Sequence, residues 1–177
     1  MIRHKIKWLI KRLLPHYELY RIYQVQLNNY KLQLTTKHQI VNLTSAEFSQ
    51  QPLYKETALY NGENSYGYGL MIDEQLVAVQ WYWFSLPCEK LDWWPLPHNS
   101  IMSMHIQVKQ DYQGKGLSEE LKAFTLNDLS TKGFDFVYSR VWHNHWASIA
   151  MNNKLGSKQV GWLFYISLLK KTIQLRW

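Results

Sequence analysis

The sequence has little cysteine and no long apolar run. Cys88 is the single cysteine among 177 residues, which excludes an internal disulfide framework and a cysteine-rich zinc site. A lone cysteine fits a reducing compartment, so we expect a cytoplasmic protein. No stretch approaches the ~20 consecutive apolar residues of a membrane-spanning helix. The apolar fraction of 46% excludes wholesale disorder.

Acidic residues are scarce at both ends of the chain. Residues 1–25 contain six Lys or Arg and one Glu, and residues 140–177 contain six Lys or Arg and no acid. Residues 26–139 contain eight Lys or Arg and twelve acids, so the net charge of +7 is concentrated at the ends. This charge distribution does not match the uniformly basic surface of a nucleic-acid-binding protein. We therefore expect no nucleic-acid partner.

The first fourteen residues, MIRHKIKWLIKRLL, combine an apolar stripe with a basic face at helical spacing. We expect a basic amphipathic helix over residues 1–16 and a single domain over residues 17–177. Two roles for the helix stay open: packing on the domain, or peripheral contact with an anionic membrane at its inner face. A signal peptide is disfavoured because Lys11 and Arg12 interrupt the apolar run.

Strand and helix patterns alternate from residue 66 onward, and residues 17–34 mix both signals. Thr44 is expected to cap a helix, with Glu47 three residues later. The alternation predicts an α+β or α/β fold in which helices cover both faces of a mixed sheet. The predicted elements are a hairpin of Gly69–Ile72 and Leu76–Phe84, a loop over 85–99, a strand at Ile101–Val108, a helix from Ser118 to about Thr131, a strand at Phe134–Trp142, a helix at His145–Leu155 closed by Gly156, and a strand at Val160–Leu169.

A Gly-Lys-Gly turn joins the strand at Ile101–Val108 to the next helix. Gly114 and Gly116 let backbone N–H groups converge without side-chain obstruction. The helix start aims its free N–H groups and positive dipole end at the same point. Such a pocket suits a phosphate or pyrophosphate, and Lys115 adds a positive charge. A turn without a ligand is the alternative, since the spacing matches neither a Walker P-loop nor a dinucleotide fingerprint.

The same stretch resembles motif A of the GNAT acetyltransferase superfamily, which reads Gln/Arg-x-x-Gly-x-Gly/Ala after a strand. Gln113 and Gly116 match it, and Ser118 takes the place of the final small residue. Residues 143–156, HNHWASIAMNNKLG, resemble motif B of that family, one helix and one strand later. The resemblance covers roughly residues 66–166. It implies the acyl-CoA N-acyltransferase fold, a mixed, mostly antiparallel central sheet flanked by helices in three layers.

The resemblance also implies a cofactor and a reaction. Acetyl-CoA, or another acyl-CoA, would transfer its acyl group to an amine or hydroxyl of a small acceptor by direct attack. The strand backbone would pair with the pantetheine arm, and an N–H near Val108 would polarise the thioester carbonyl. The implied cofactor-binding residues are Ile106, Gln107 and Val108 for the arm, Gln113, Gly114, Lys115, Gly116, Leu117 and Ser118 for the pyrophosphate, and Ser148.

The candidate catalytic positions are His105, His145 and Asn152. Many family members have a Tyr general acid at the position that falls on Asn152, so the acid does not carry over. An acceptor ammonium must lose a proton before it attacks, and imidazole suits that task. His105 lies on the strand before the turn, and His145 lies where the family's Asn is usual. A water-mediated path to a Glu and ordinary structural histidines stay open. The pair at 143 and 145 lacks a third ligand, so no metal site is predicted.

Three functions stay open at this point: an N-acetyltransferase, an acyl-CoA-binding module without activity, and a basic domain that binds membrane or nucleic acid. Gln113 and Gly116 favour the first, and Asn152 favours the second. The acidic middle counts against the third. The loop pair Trp93-Trp94 is a candidate surface for stacking a sugar ring, whereas most other aromatic residues are expected in the core. No oligomeric state is predicted.

Overall fold

One mixed sheet runs through this computed structural model, which describes residues 17–28, 30, 36–43, 46–84, 94–166 and 171–177. The predicted helix at 1–16, the Thr44 cap, Cys88 and Trp93 lie outside the described residues. The strands are β1 (Tyr17–Gln26), β2 (Gln39–Asn42), β3 (Ser65–Ile72), β4 (Gln75–Phe84), β5 (Ser100–Val108), β6 (Phe136–Trp142), β7 (Lys158–Ile166) and β8 (Lys171–Arg176). The α-helices are α1 (Pro52–Thr57), α2 (Leu117–Thr131) and α3 (Trp146–Lys154).

The strand order is β2-β3-β4-β5-β6-β1-β7-β8. Neighbouring strands are antiparallel except β5 and β6, which are parallel. The mixed, mostly antiparallel sheet predicted from the sequence is therefore confirmed. The predicted hairpin of β3 and β4 is also present, with Ile72 paired to Gln75 across a two-residue turn. Asp73 and Glu74 adopt φ values of +47° and +61°, as a tight hairpin turn of this length requires.

The two faces of the sheet are covered differently. On one face, α2 packs Leu121 and its apolar neighbours against Leu70 of β3 and other core residues. On the opposite face, Leu53 of α1 packs with Trp81 over one half of the sheet. Over the other half, the loop residue Trp94 packs into a cluster with strand residues. Among the described residues, helices therefore cover one face and half of the other, and the segment around Trp94 packs on the remaining half.

The parallel strands β5 and β6 separate halfway along their length. Their ladder ends at the pair Ser103 and Ser139, although both strands continue beyond it. A bulge in the β4–β5 ladder lies at the same level and leaves Met104 as the extra residue. The buried Gln80 side chain supports the bulge, because its amide nitrogen lies 3.0 Å from the His105 carbonyl oxygen. The separation opens a gap between two strands in the middle of the sheet.

Within the described ranges, no helix combines the length and the apolar character needed to cross a membrane.

Candidate active site

The turn between β5 and α2 has the geometry of an anion cradle. Gly114 and Gly116 have φ values of +76° and +79°, a region that L side chains rarely adopt. A Cβ added at either position would meet no atom within 4 Å, so it would project into open space. The N–H groups of residues 114–118 find no backbone acceptor in the described part of the chain. Free N–H groups at a helix start bind anions well.

Side chains around the turn hold its shape. The Gln113 amide nitrogen donates a hydrogen bond of 3.1 Å to the carbonyl oxygen of Val108 and so ties the turn to the end of β5. The Lys115 ammonium lies 4.8 Å from the centre of the Tyr112 ring, a cation–π contact. Gln113 therefore positions the cradle, and Lys115 adds positive charge beside it.

A cavity of about 300 Å³ joins this cradle to β5 and α3. Its volume is at the lower end of the range for small-molecule sites. The sequence-predicted site residues that line it are Ile106, Val108, Gln113, Gly114, Gly116, Leu117, Ser118, His145 and Ser148. Ser148 Oγ and His145 Nδ1 lie 2.8 Å apart and share a hydrogen bond. The predicted residues outside this lining are His105, Gln107, Lys115 and Asn152.

Alternate side chains of β5 serve opposite sides of the sheet, as strand geometry dictates. Ile106 and Val108 line the cavity. His105 and Gln107 contact the segment around α1 on the other side. There, the Tyr60 ring stacks on the His105 ring with 4.9 Å between centroids and 12° between planes. The predicted base and the predicted cofactor cavity are therefore separated by the thickness of one strand.

A short relay of polar groups orients His105. The Gln107 amide nitrogen donates to a Glu56 carboxylate oxygen at 2.9 Å, and Gln107 Oε1 lies 3.0 Å from His105 Nε2. Because the amide oxygen can only accept, His105 Nε2 carries the hydrogen of that bond. The lone pair of a neutral His105 is then on Nδ1. The sequence patterns did not indicate Glu56, which reaches this relay only through the packing of α1 on the sheet.

A smaller cavity of about 100 Å³ lies where β5 and β6 separate. It shares lining residues with the larger cavity, including Ile106 and Ser148. Its wall includes Lys122 of α2, which is 2% exposed. Lys122 Nζ donates hydrogen bonds to Asn152 Oδ1 at 2.9 Å and to Ser139 Oγ at 3.1 Å. Burial lowers the pKa of Lys122 to about 8.

Asn152 is fixed by its neighbours in this wall. It is 1% exposed, and its amide nitrogen donates to the Ser148 carbonyl oxygen at 2.8 Å. A carboxamide has no acidic proton to release, so the structure gives Asn152 the role of an acceptor for Lys122. Neither Lys122 nor Ser139 was indicated by the sequence patterns, because a single Lys on a helix usually marks a solvated face.

A third cavity, of about 310 Å³, lies on the His105 side of the sheet. Tyr60 and Trp83 form part of its wall, and the Trp83 indole nitrogen donates to the Tyr60 carbonyl oxygen at 2.7 Å. Trp94, which we expected to stack a sugar ring, is only 7% exposed and packs in the core instead. No cluster of three His, Cys, Asp or Glu that could bind a metal occurs among the described residues.

Solved structures of GNAT proteins share this fold. A GNAT-family protein from Novosphingobium aromaticivorans superposes with a TM-score of 0.60 at 16% identity, covering 82% of this chain and 62% of that one. The ribosomal-protein-S18-alanine N-acetyltransferase of Escherichia coli gives 0.52 at 19% identity, with coverages of 68% and 77%. A GCN5-related N-acetyltransferase from Kribbella flavida gives 0.55 at 10% identity, with coverages of 89% and 57%.

The chain thus has the GNAT acyl-CoA N-acyltransferase fold. At these identities the comparisons define the fold alone, and the chain spans less than two thirds of the first of these proteins. No family model matches the sequence, and no curated protein matches it.

Proposed function

We propose that the chain is an acetyl-CoA-dependent N-acetyltransferase acting on a small acceptor amine. The observation that carries this proposal is the continuity of the site. The glycine turn with free N–H groups at residues 114–118 opens into a cavity along β5, and that cavity leads to the gap between β5 and β6. A long cofactor with a pyrophosphate at one end fits this order of features, which is an anion site, an extended groove and a central gap.

The residues present fit acetyl-CoA, which supplies an acetyl group activated as a thioester when bound. The N–H groups of residues 114–118 would hold the pyrophosphate, with Lys115 adding charge. Beyond Ser103, β5 has no ladder with β6. Its free edge can therefore pair with the pantetheine arm as an added strand would. A backbone N–H of β5 beside the gap would polarise the thioester carbonyl.

His105 would act as the base from the opposite side of β5. Its Nδ1 would take a proton from the acceptor amine, while Gln107 and Glu56 hold the ring through Nε2. The acceptor would enter from the cavity beside Tyr60 and Trp83 and meet the acyl group at the gap. Direct attack needs no nucleophilic side chain of the protein. His145 lies on the cofactor side, where its bond to Ser148 makes it a positioning residue.

An acceptor screen tests this proposal. Acetyl-CoA is incubated with the full chain and a panel of amines and amino sugars, and free CoA thiol is measured together with the product mass. We expect thiol release that depends on one acceptor class and a product heavier by one acetyl group. Binding of acetyl-CoA without transfer to any acceptor would contradict it. That outcome would favour the second candidate, an acyl-CoA-binding module, which the amide at Asn152 in place of an acid supports.

A further inference from the structure

Lys122 is a buried cation that has no carboxylate partner among the described residues. Its two hydrogen bonds go to neutral side chains, those of Ser139 and Asn152. No carboxylate occurs among the described residues that line its cavity. An isolated buried charge is costly, and an apolar side chain at this core position would avoid that cost. The other titratable or charged residues in the described lining of its cavity are His105, Arg140 and His145. Tyr82 and Tyr68 of the neighbouring strands contact α2 further along, at Thr125 and at the Asp128 carboxylate.

Lys122 also has an unused donor in a useful place. An ammonium carries three N–H donors, and two of them are used. The lining that the two cavities share leads from the glycine turn to Lys122. At about 3.3 Å per residue, the β5 edge from Val108 to Ser103 is roughly 16 Å long. A cofactor arm that follows this edge brings its thioester to the gap that Lys122 faces.

We propose that Lys122 is a catalytic residue, the acid that protonates the CoA sulfur as it leaves. This inference rests on the proposed function. Asn152, at the position where the family's Tyr acid falls by resemblance, is the residue that holds the Lys122 ammonium. The proton donor of this chain would thus lie on α2, whereas the family position of the acid falls on the neighbouring helix α3.

The step balances with groups already named. The bond between the amine nitrogen and the acetyl carbon forms, and the carbon–sulfur bond breaks with its electron pair on sulfur. Lys122 gives its proton to the sulfur, and the nitrogen gives its proton to His105. Both residues then exchange protons with solvent, so that amine and thioester become amide and thiol. A donor with a pKa of about 8 is close to a thiol pKa of about 8.5, which suits this transfer.

The test compares Lys122→Met with Lys132→Met, a control on an exposed lysine at the end of the same helix. Turnover of wild type should fall as the pH rises through about 8, because the acid loses its proton. Lys122→Met should lower kcat at pH 7 on the order of 10²-fold and should lose this alkaline limb. Its acetyl-CoA-induced shift in melting temperature should equal that of wild type. Lys132→Met should behave as wild type in every assay.

The outcomes separate this inference from the proposed function. If wild type neither binds acetyl-CoA nor transfers acetyl groups, the proposed function itself fails. If wild type is active and Lys122→Met keeps its kcat and its pH profile, the acid role is overturned while the function stands. A variant that loses activity but keeps the alkaline limb also overturns it, since a structural role would give that result. If Lys122→Met does not fold, the pH profile of wild-type turnover provides the test instead. Turnover that stays level to about pH 10 would overturn the role of Lys122 as the acid.

Discussion

Single side chains in this site take their roles from the strand that carries them. His105 and Ile106 are neighbours in sequence, yet one contacts Tyr60 and the other lines the cofactor cavity. This division follows from the alternation of a strand, and under the proposed function the acceptor and the cofactor would lie on different sides of β5. The two sides meet where the β5–β6 ladder ends at Ser103.

Replacing His105 should affect proton removal from the acceptor. We expect His105→Gln to lower kcat/KM for an amine acceptor on the order of 10²- to 10⁴-fold and to remove the acidic limb of the pH profile of turnover, while the alkaline limb stays. His145→Gln is the matched control, because His145 bonds to Ser148 on the cofactor side. Its effect should fall mainly on the KM for acetyl-CoA. Equal losses of kcat in the two variants would contradict the assignment of His105 as the base.

At the scale of elements, α2 is anchored at its first turns as well as through its buried face. Glu120 accepts hydrogen bonds from the backbone N–H groups of Lys37 at 2.6 Å and His38 at 2.9 Å, and it pairs with the His38 ring. Burial alone raises the pKa of Glu120, but the hydrogen bonds from His38 and Lys37 outweigh it and hold the pKa below its usual value. This contact fixes the segment before β2 against the helix that starts at the cradle.

The lowered pKa of Glu120 predicts a pH-dependent contribution to stability. The folded chain holds the carboxylate in its charged form more strongly than the unfolded chain does. Its stabilisation is therefore present at neutral pH and is lost as the pH falls below about 4. We expect Glu120→Gln to lower the melting temperature at pH 7, with a difference from wild type that shrinks in acid.

The control for this measurement is Glu119→Gln, which removes a surface ion pair in which Lys154 Nζ lies 2.7 Å from Glu119 Oε1. Because such surface pairs contribute little, its melting temperature should stay close to that of wild type at every pH. Thermal unfolding followed by circular dichroism measures both variants. A Glu120→Gln difference of constant size from neutral to acidic pH would speak against the anchoring role.

Local signals in the sequence were enough for the elements that build the cradle. The hairpin turn at Asp73 and Glu74, the glycine turn and the C-terminal glycine of α3 each have a conformational cause that lies within a few residues. The sequence of β1 does not distinguish strand from helix, because β1 lies inside the sheet, where residues such as Ile22 and Tyr23 are buried in succession and the alternation of a strand is lost. β8 was not predicted, since it is an exposed edge strand that gains its partner only through the fold.

The candidate site, like the fold, is predictable from the sequence only where its residues are contiguous. The glycine turn and the β5 edge come from contiguous residues, and a motif can represent them. Glu56, Lys122 and Ser139 come from three separate elements, and each is an ordinary polar residue in its own segment. Their roles arise from tertiary packing that brings them to β5 and to the gap, which no local pattern encodes.

At the scale of the whole molecule, the uneven charge makes a prediction about membranes. If the first fourteen residues bind anionic lipid, Lys7→Glu combined with Lys11→Glu should abolish co-sedimentation with anionic vesicles. The control combines Lys158→Glu with Lys171→Glu, at two exposed positions on the sheet, and changes the net charge by the same amount. This control should still co-sediment with anionic vesicles. Equal losses in the two double variants would show that only net charge matters and would reject a specific anchor.

Acetyl-CoA binding at the glycine turn tests the central claim most directly. The measurement is the melting temperature with and without acetyl-CoA for wild type, Gly116→Trp and Gly133→Trp. Gly116 and Gly133 have φ values of +79° and +85°, and neither has an atom within 4 Å of an added Cβ, so the backbone strain is matched. Of these two glycines, only Gly116 lines the cavity. Acetyl-CoA should stabilise wild type and Gly133→Trp but not Gly116→Trp. No stabilisation of wild type, or an equal gain in Gly116→Trp, would contradict the account.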